Sequence, residues 1–264
     1  MSGWSKWLAL LMALVPVLFG FVIPFLILAS YALESVTAGL DSQWLRYSWN
    51  SLSVALTAST ITVVVGLLIS YGKRQQNRYG ASIAHRLAGI GYAMPGAVLA
   101  IGVVILFGGV DRHINAIFEE WFNYSPGLLF SGTMFSLLFA YVVRFPAIAT
   151  GGIDSSLSRI SPSMDHASRS LGFSALATMR RVHLPMVRSS LFTVALVVFV
   201  DIMKELPVTL LLRPFNFETL ATHVYYYASD EMLRESSLAA LMIVLVGLGP
   251  VILLSRNVAA HREG

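Results

Sequence analysis

Six apolar runs alternate with shorter polar stretches along the chain, at residues 7–31, 51–71, 87–109, 127–150, 191–212 and 236–254. Each run is continuous and near the roughly 20 residues a helix needs to cross the hydrocarbon of a bilayer, whereas barrel strands would alternate polar and apolar over about ten. The pattern predicts an all-α fold, a polytopic membrane protein with six transmembrane helices. The first run exceeds the roughly 7–15-residue core of a signal peptide, so it reads as a retained span. Pro16 and Pro24 lie inside it, tolerable where local adjustment satisfies the freed carbonyls. Met94-Pro95-Gly96 interrupts the third run, because proline removes a donor and glycine relaxes the backbone, so a kink is expected there. Between the first two runs, Trp44, Tyr47 and Trp49 suit a membrane interface.

Composition strengthens this picture. With 56% hydrophobic and only 12% charged residues and a mean hydropathy of +0.71, the chain is far from a soluble domain, whose charged fraction is about a quarter. The absence of cysteine excludes disulfides and thiolate metal sites. The net charge of +4 need not mean nucleic acid, since basic cytoplasmic loops produce the same surplus. Under the six-span topology, twelve Lys and Arg fall on the side holding both termini, the basic stretch with Lys73, Arg74, Arg78 and Arg86, and the polar stretch 161–190. Four, namely Arg46, Arg112, Arg213 and Arg234, fall on the other. The positive-inside rule then places both termini in the cytoplasm. The expected layout is a first span with its external loop at 1–50, a five-span core at 51–255 and a cytoplasmic tail at 256–264.

Two polar constellations interrupt the apolar pattern. In the first, at 161–190, Ser161-Pro162 forms an N-cap and first helical position, and Leu171-Gly172 a stop with glycine for a left-handed cap. Ser174 then caps a second helix that Pro185 is expected to break. Two short helices at an angle follow, either docking on a partner or lying on the inner leaflet through Arg169, Arg180 and Arg181. The second is Asp201-Ile202-Met203-Lys204-Glu205-Leu206-Pro207 in the fifth run. Ionisable groups inside a span are expensive and usually face a pathway. On one helix Asp201 meets Lys204 at i+3, with Glu205 nearby and Pro207 as a hinge; gating and locking of span packing both fit. Arg144 lies near the inner end of the fourth run, where it can snorkel to the interface as an anchor.

Enzyme chemistry finds no support in this sequence. It has no G-x-x-x-x-G-K-[ST], H-E-x-x-H or G-x-S-x-G motif, and His85, His113, His166, His183, His223 and His261 are scattered, read as loop residues rather than ligands. No catalytic or metal-binding residue is assigned.

The stretch 161–190 resembles the permease subunits of binding-protein-dependent ABC importers. Their signature is Glu-Ala-Ala, three residues, Gly, nine residues, an aliphatic residue, any residue, and Leu-Pro. Here His166-Ala167-Ser168, Gly172 and Val182-x-Leu184-Pro185 stand at the matching spacing, with His166 at the acidic position and Ser168 at the second alanine. The resemblance implies a type I importer permease fold, and it implies that Asp165, His166, Ala167, Ser168, Gly172, Val182, Leu184 and Pro185 couple the spans to a cytoplasmic ATPase. It further implies a gate or path at Asp201, Lys204, Glu205, Pro207 and Pro95.

The run from Lys204 to Thr222 is similar to the ferric-iron branch, whose members mostly carry two six-span halves; this chain looks like the second half alone. The implied partners are cytoplasmic ATPase subunits binding ATP and Mg, a second permease half, a periplasmic binding protein and membrane lipid, in a bacterial inner membrane. The outer stretch with Tyr225, Tyr226 and Tyr227 serves as a surface for that binding protein or as an interfacial belt. Sulfate, thiamine and polyamine are alternative cargoes, and a proton-coupled secondary transporter is the alternative class.

Overall fold

A computed structural model of the chain describes residues 3–37, 43–75 and 79–260. Among these, all regular elements are helical. Helices α1 (Gly3–Val17) and α2 (Ile23–Thr37) form one apolar rod through a π-helical turn, Leu18–Val22. The cause is Pro24, which offers the preceding turn no amide; the turn widens, and Ile23 N–H donates to Leu18 O. The apolar centre of this rod is unburied by the rest of the chain. Only α2 packs inward, on α13 (Leu233–Ala260).

The body is built around α3 (Gln43–Arg74), which packs against α4 (Tyr79–Ala93), α6 (Met134–Arg144), α7 (Pro146–Leu157) and α10 (Leu184–Met203). Its core is rich in small side chains: Ala55, Ala58, Ala100, Ala140 and Ala149 are fully buried beside Leu137, Ile153 and Val198. Lipid tails are as apolar as leucine, so helices associate through close packing rather than water exclusion, and small residues allow it. At the closest crossing, a Cβ on Gly91 would lie 2.0 Å from the Val143 carbonyl oxygen.

Among the described residues four helices are long and apolar enough to cross a membrane, against six runs in the pattern, and α6 with α7, bent by 44°, adds a fifth where the pair is one span. The boundaries differ from the hydrophobic pattern in several places. The third run is cut at Pro95 into α4 and α5 (Gly96–Phe122), and α5 continues through most of the expected outer loop. It can do so because Asp111 is buried and accepts the amides of Leu129, Phe130 and Ser131 at 2.8–3.2 Å, which satisfies its charge.

The expected basic loop is also mostly helical: Lys73 and Arg74 end α3, Arg86 lies in α4, and Arg78 is outside the described residues. Residues 256–260 of the expected tail continue α13, and 261–264, with His261, are outside the described residues. The other five histidines sit in helices or on a π-turn rather than in loops.

Pro185 does not break its helix. After α8 (Pro162–Ser170), helix α9 (Ala175–Thr178) passes through a second π-turn, Met179–His183, straight into α10, and residues Ala175–Met203 form one rod. Leu184 N–H donates to Met179 O, so the widened turn absorbs the donor that Pro185 lacks. The break comes instead at Lys204, before α11 (Pro207–Leu212). A turn and α12 (Leu220–Ser229) follow, and α12 packs on α13 and α3.

Candidate functional site

The polar stretch 161–190 folds into a helix–glycine–helix elbow fixed to the ends of the long helices. Ser161 caps α8 by accepting from Ser163 N. At the other end Gly172 takes φ +80°, while Phe173 N–H donates to Ser168 O and Gly172 N–H to Arg169 O, the paired bonds of a Schellman stop. The two limbs are tied by Ser168 Oγ and Thr178 Oγ1, 2.7 Å apart and buried.

Asp165 points inward rather than outward. Its Oδ2 accepts from Arg74 Nε and Nη2 at 3.1 and 2.7 Å, and its Oδ1 lies 2.9 Å from His183 Nε2. Arg74 also donates to the carbonyls of Leu157 and Ile160 at 2.5 and 2.9 Å, so one guanidinium joins the end of α3, the end of α7 and α8. His183, only 1% exposed, sits on the π-turn against the Tyr71 ring, and Tyr71 O–H donates to Ala175 O at 2.7 Å. His166, Ala167 and Arg169 face outward. Val182 is half-buried, and Leu184 and Pro185 are exposed on the rod beyond.

A second site forms where three proline breaks meet: Pro95 between α4 and α5, Pro146 between α6 and α7, and Pro207 before α11. Arg144 is not a snorkelling anchor. It is 15% exposed, with Nε 3.5 Å from Glu205 Oε2, and it donates from Nη1 to the Met94 carbonyl at 2.7 Å, a carbonyl freed where α4 ends. Gly96 makes the approach possible, since a Cβ there would lie 2.9 Å from Glu205 Oε1. Glu205 Oε1 accepts from Val208 N, and the Thr209 hydroxyl bonds the Glu205 carbonyl and lies 2.5 Å from the Tyr141 hydroxyl.

Asp201 and Lys204 pair at 2.7 Å as the i+3 spacing predicts, but Lys204 is 61% exposed and Glu205 has left the helix. The three ionisable groups therefore belong to two separate pairs. Between α11 and α12, Arg213 Nη1 lies 2.5 Å from Glu218 Oε1 and bonds the Phe217 carbonyl, which fixes the turn leading to α12. His223 on α12 is buried among Trp44, Tyr47 and Tyr227. Burial there pushes its imidazole below the ordinary histidine pKa, against the opposing effects of a hydrogen bond with the Glu235 backbone and the Glu218 charge.

Sequence reasoning missed Arg74, Arg144, His183 and Tyr71 as site residues. A signal existed for one of them: once Asp201 takes Lys204, Glu205 is the one charge left in the fifth run and Arg144 the one cation in the fourth. No comparable bookkeeping reveals Arg74, because its partners lie 83 to 91 residues away.

An apolar bundle with a charged, proline-broken centre and a polar elbow fixed to the ends of its long helices defines a membrane transport component. The profile described as "Binding-protein-dependent transport system inner membrane component" matches residues 62–262, and the chain belongs to that family. It is 27% identical over 225 residues to the Fe(3+)-transport system permease protein FbpB 2 of Haemophilus influenzae, and 24% identical to the ferric transport system permease protein FbpB of Actinobacillus pleuropneumoniae. These matches cover 85% and 82% of this chain but only 41% and 31% of those relatives, so the chain spans less than half their length.

A putative 2-aminoethylphosphonate transport system permease, PhnV of Salmonella typhimurium, is 24% identical over 82% of this chain and 77% of its own length. Among solved structures, a bacterial ABC transporter involved in alginate import matches with TM-score 0.72 at 16% identity, covering 98% of this chain and 96% of that chain. The MetNI methionine ABC transporter matches with TM-score 0.59 at 14% identity, over 82% of this chain and 99% of that chain. Both are likenesses of fold.

Proposed function

We propose that this chain is one transmembrane half of an ATP-driven importer in the bacterial inner membrane, and that its cargo is ferric iron. The observation that carries the importer assignment is the family match over 62–262 coinciding with an elbow whose Gly and Leu-Pro spacing is that of an ATPase-coupling segment. The two ferric-transport relatives favour iron. The chain itself carries no enzyme activity; ATP and Mg belong to the ATPase partner. A second half, another copy or a related chain, completes the path, and a periplasmic protein delivers the cargo. The twelve-to-four bias of Lys and Arg supports both termini and the elbow in the cytoplasm, with α13 as the sixth span.

In mechanism, closure of the ATPase moves α8, including His166, Ala167 and the Gly172 turn. Asp165 transmits the motion to α3 through Arg74 and to α10 through His183. The far end of α10 is the break at Lys204, so a rotation of that rod bears on the Arg144–Glu205 pair, and Pro95 and Pro207 accommodate the change between two packed states. Asp201, Lys204 and Glu205 then line or gate the path.

The test is uptake of radiolabelled ferric iron by proteoliposomes holding the chain with its ATPase and binding protein, competed with excess 2-aminoethylphosphonate or spermidine. Iron uptake that needs ATP and resists both competitors is expected. The organophosphonate reading draws on PhnV, of whose length this chain covers 77%, and it wins if the phosphonate itself is taken up. Uptake driven by a proton gradient without any ATPase would sink the importer assignment and favour a secondary transporter.

A further inference from the structure

We propose that the exposed flank of the long rod Ala175–Met203 is a seat for anionic phospholipid, with Arg180, Arg181 and Arg188 holding the headgroup phosphate. The inference needs this rod to cross a bilayer, as its length and apolar composition allow, and depends on neither the cargo nor the ATPase.

Arg180 and Arg181 lie on the π-turn Met179–His183, and Leu184, Arg188 and Phe192 follow at the three- and four-residue steps that keep to one helical face. All five are exposed, Phe192 by 61%, whereas His183, Val187, Val194 and Val198 on the other face are buried in the bundle. Along the exposed face the chain thus passes from two cations through Leu184 to a third cation and then to Phe192, and no further charge occurs before Asp201. That is the order in which a leaflet changes from headgroup to hydrocarbon. At the helical rise, Arg188 stands about 6 Å before Phe192 and Arg181 about 16 Å before it. With Phe192 at the edge of the hydrocarbon, Arg188 lies within a headgroup layer about 5–7 Å deep. The long apolar stems of Arg180 and Arg181 bring their guanidinium groups back toward the same layer past Leu184.

No carboxylate competes for these groups. Among the described residues none of the three arginines enters an ion pair, and Arg181 only stands over the Phe173 ring at 5.2 Å. The one carboxylate between residues 155 and 200 is Asp165, which Arg74 holds. A guanidinium fork left free in this way matches two phosphate oxygens. Arg169 is not part of the seat: it stands on α8 and donates to Gln75 at 2.8 Å. A water-soluble protein reaching Arg188 would have to stand in the headgroup layer, with Phe192 beside it. A lipid satisfies both ends of the face at once, its phosphate on the arginines and its acyl chain along Phe192.

The experiment is native mass spectrometry of the delipidated full chain, titrated with short-chain phosphatidylglycerol or with phosphatidylcholine of the same chain length. The wild type is compared with Arg180→Gln, Arg181→Gln, Arg188→Gln and Arg169→Gln, each checked for an unchanged melting transition. Preferential retention of phosphatidylglycerol is expected, with about a fivefold loss of affinity for each substitution on the rod. Arg169→Gln is expected to bind as the wild type does, and free glycerol phosphate at the lipid concentration not to compete. Equal affinity for the two lipids overturns the inference, and so does an equal loss in Arg169→Gln, which would mean that net charge alone acts. Competition by glycerol phosphate overturns it in favour of a free-anion site, and release of the lipid when the ATPase subunit is added overturns it in favour of a protein occupant. Each of these results leaves the importer assignment to the uptake assay.

Discussion

Arg144 and Glu205 show how little charge the centre of this bundle tolerates and how closely each charge is placed. Each is mostly buried, and removing one would leave the other uncompensated, a loss of about 3–5 kcal/mol. Arg144→Ala and Glu205→Ala are each expected to lower the melting temperature of the purified protein, and the exchange Arg144→Glu with Glu205→Arg to recover part of it. A double mutant no better than the sum of the singles would show that the two do not interact.

Gly91 makes the same point about volume. Its missing Cβ would collide with backbone at Val143, which cannot rotate away, whereas Gly102 on α5 has nothing within 4 Å. Gly91→Ala should therefore cost about 1–3 kcal/mol, whereas Gly102→Ala, free of any clash, should stabilise α5 by about 0.5–1 kcal/mol, both judged by thermal unfolding in detergent. Glycine at position 91 is visible in the sequence, but the carbonyl it must admit is 52 residues away. Only the packing says which glycine matters.

At the scale of elements, five of the prolines act in two ways. Pro24 and Pro185 each follow a π-turn that keeps the rod continuous, while Pro95, Pro146 and Pro207 each begin a new helix after a break. Local sequence does not separate these cases. Pro185 was expected to stop its helix, and the rod continues because a widened turn satisfies Met179 O and aims His183 at Asp165.

Pro185→Ala would let that turn relax to regular α-helix, shifting the elbow by one residue, about 100° around the axis of α10. The expected outcome is a split. Thermal stability holds or rises, since proline inside a helix costs about 3 kcal/mol relative to alanine, while cargo uptake falls and ATP hydrolysis persists. Equal loss of both activities would show that the π-turn carries no coupling. The caps are more legible: Ser161 and Ser174 stand where the helix-start rules place them and Gly172 where the stop rule does, because a cap is made within a few residues of chain.

For the molecule as a whole, the packing of α12 on α3 makes stability depend on pH through His223. Its folded-state pKa is lowered by burial, so the folded form stays neutral where the unfolded chain takes up a proton. Stability is complete above the unfolded value, about 6.5, and falls as pH drops through it. Melting curves between pH 7.5 and 5.5 should show a steeper decline for the wild type than for His223→Phe; equal slopes would remove His223 from this role.

The sequence alone determined that the chain is an all-helical membrane protein, where the elbow lies and which family its spacing belongs to. All of these depend on local composition, periodicity or fixed offsets along the chain. Tertiary structure alone decided that Asp165 faces inward to Arg74 and His183, and that Arg144 pairs with Glu205 rather than reaching the interface, which sets Glu205 apart from the Asp201–Lys204 pair. In an apolar medium a buried charge or a freed carbonyl must be met by whichever group the packing brings within about 3 Å, and that neighbour is set by how the helices cross, not by distance along the chain.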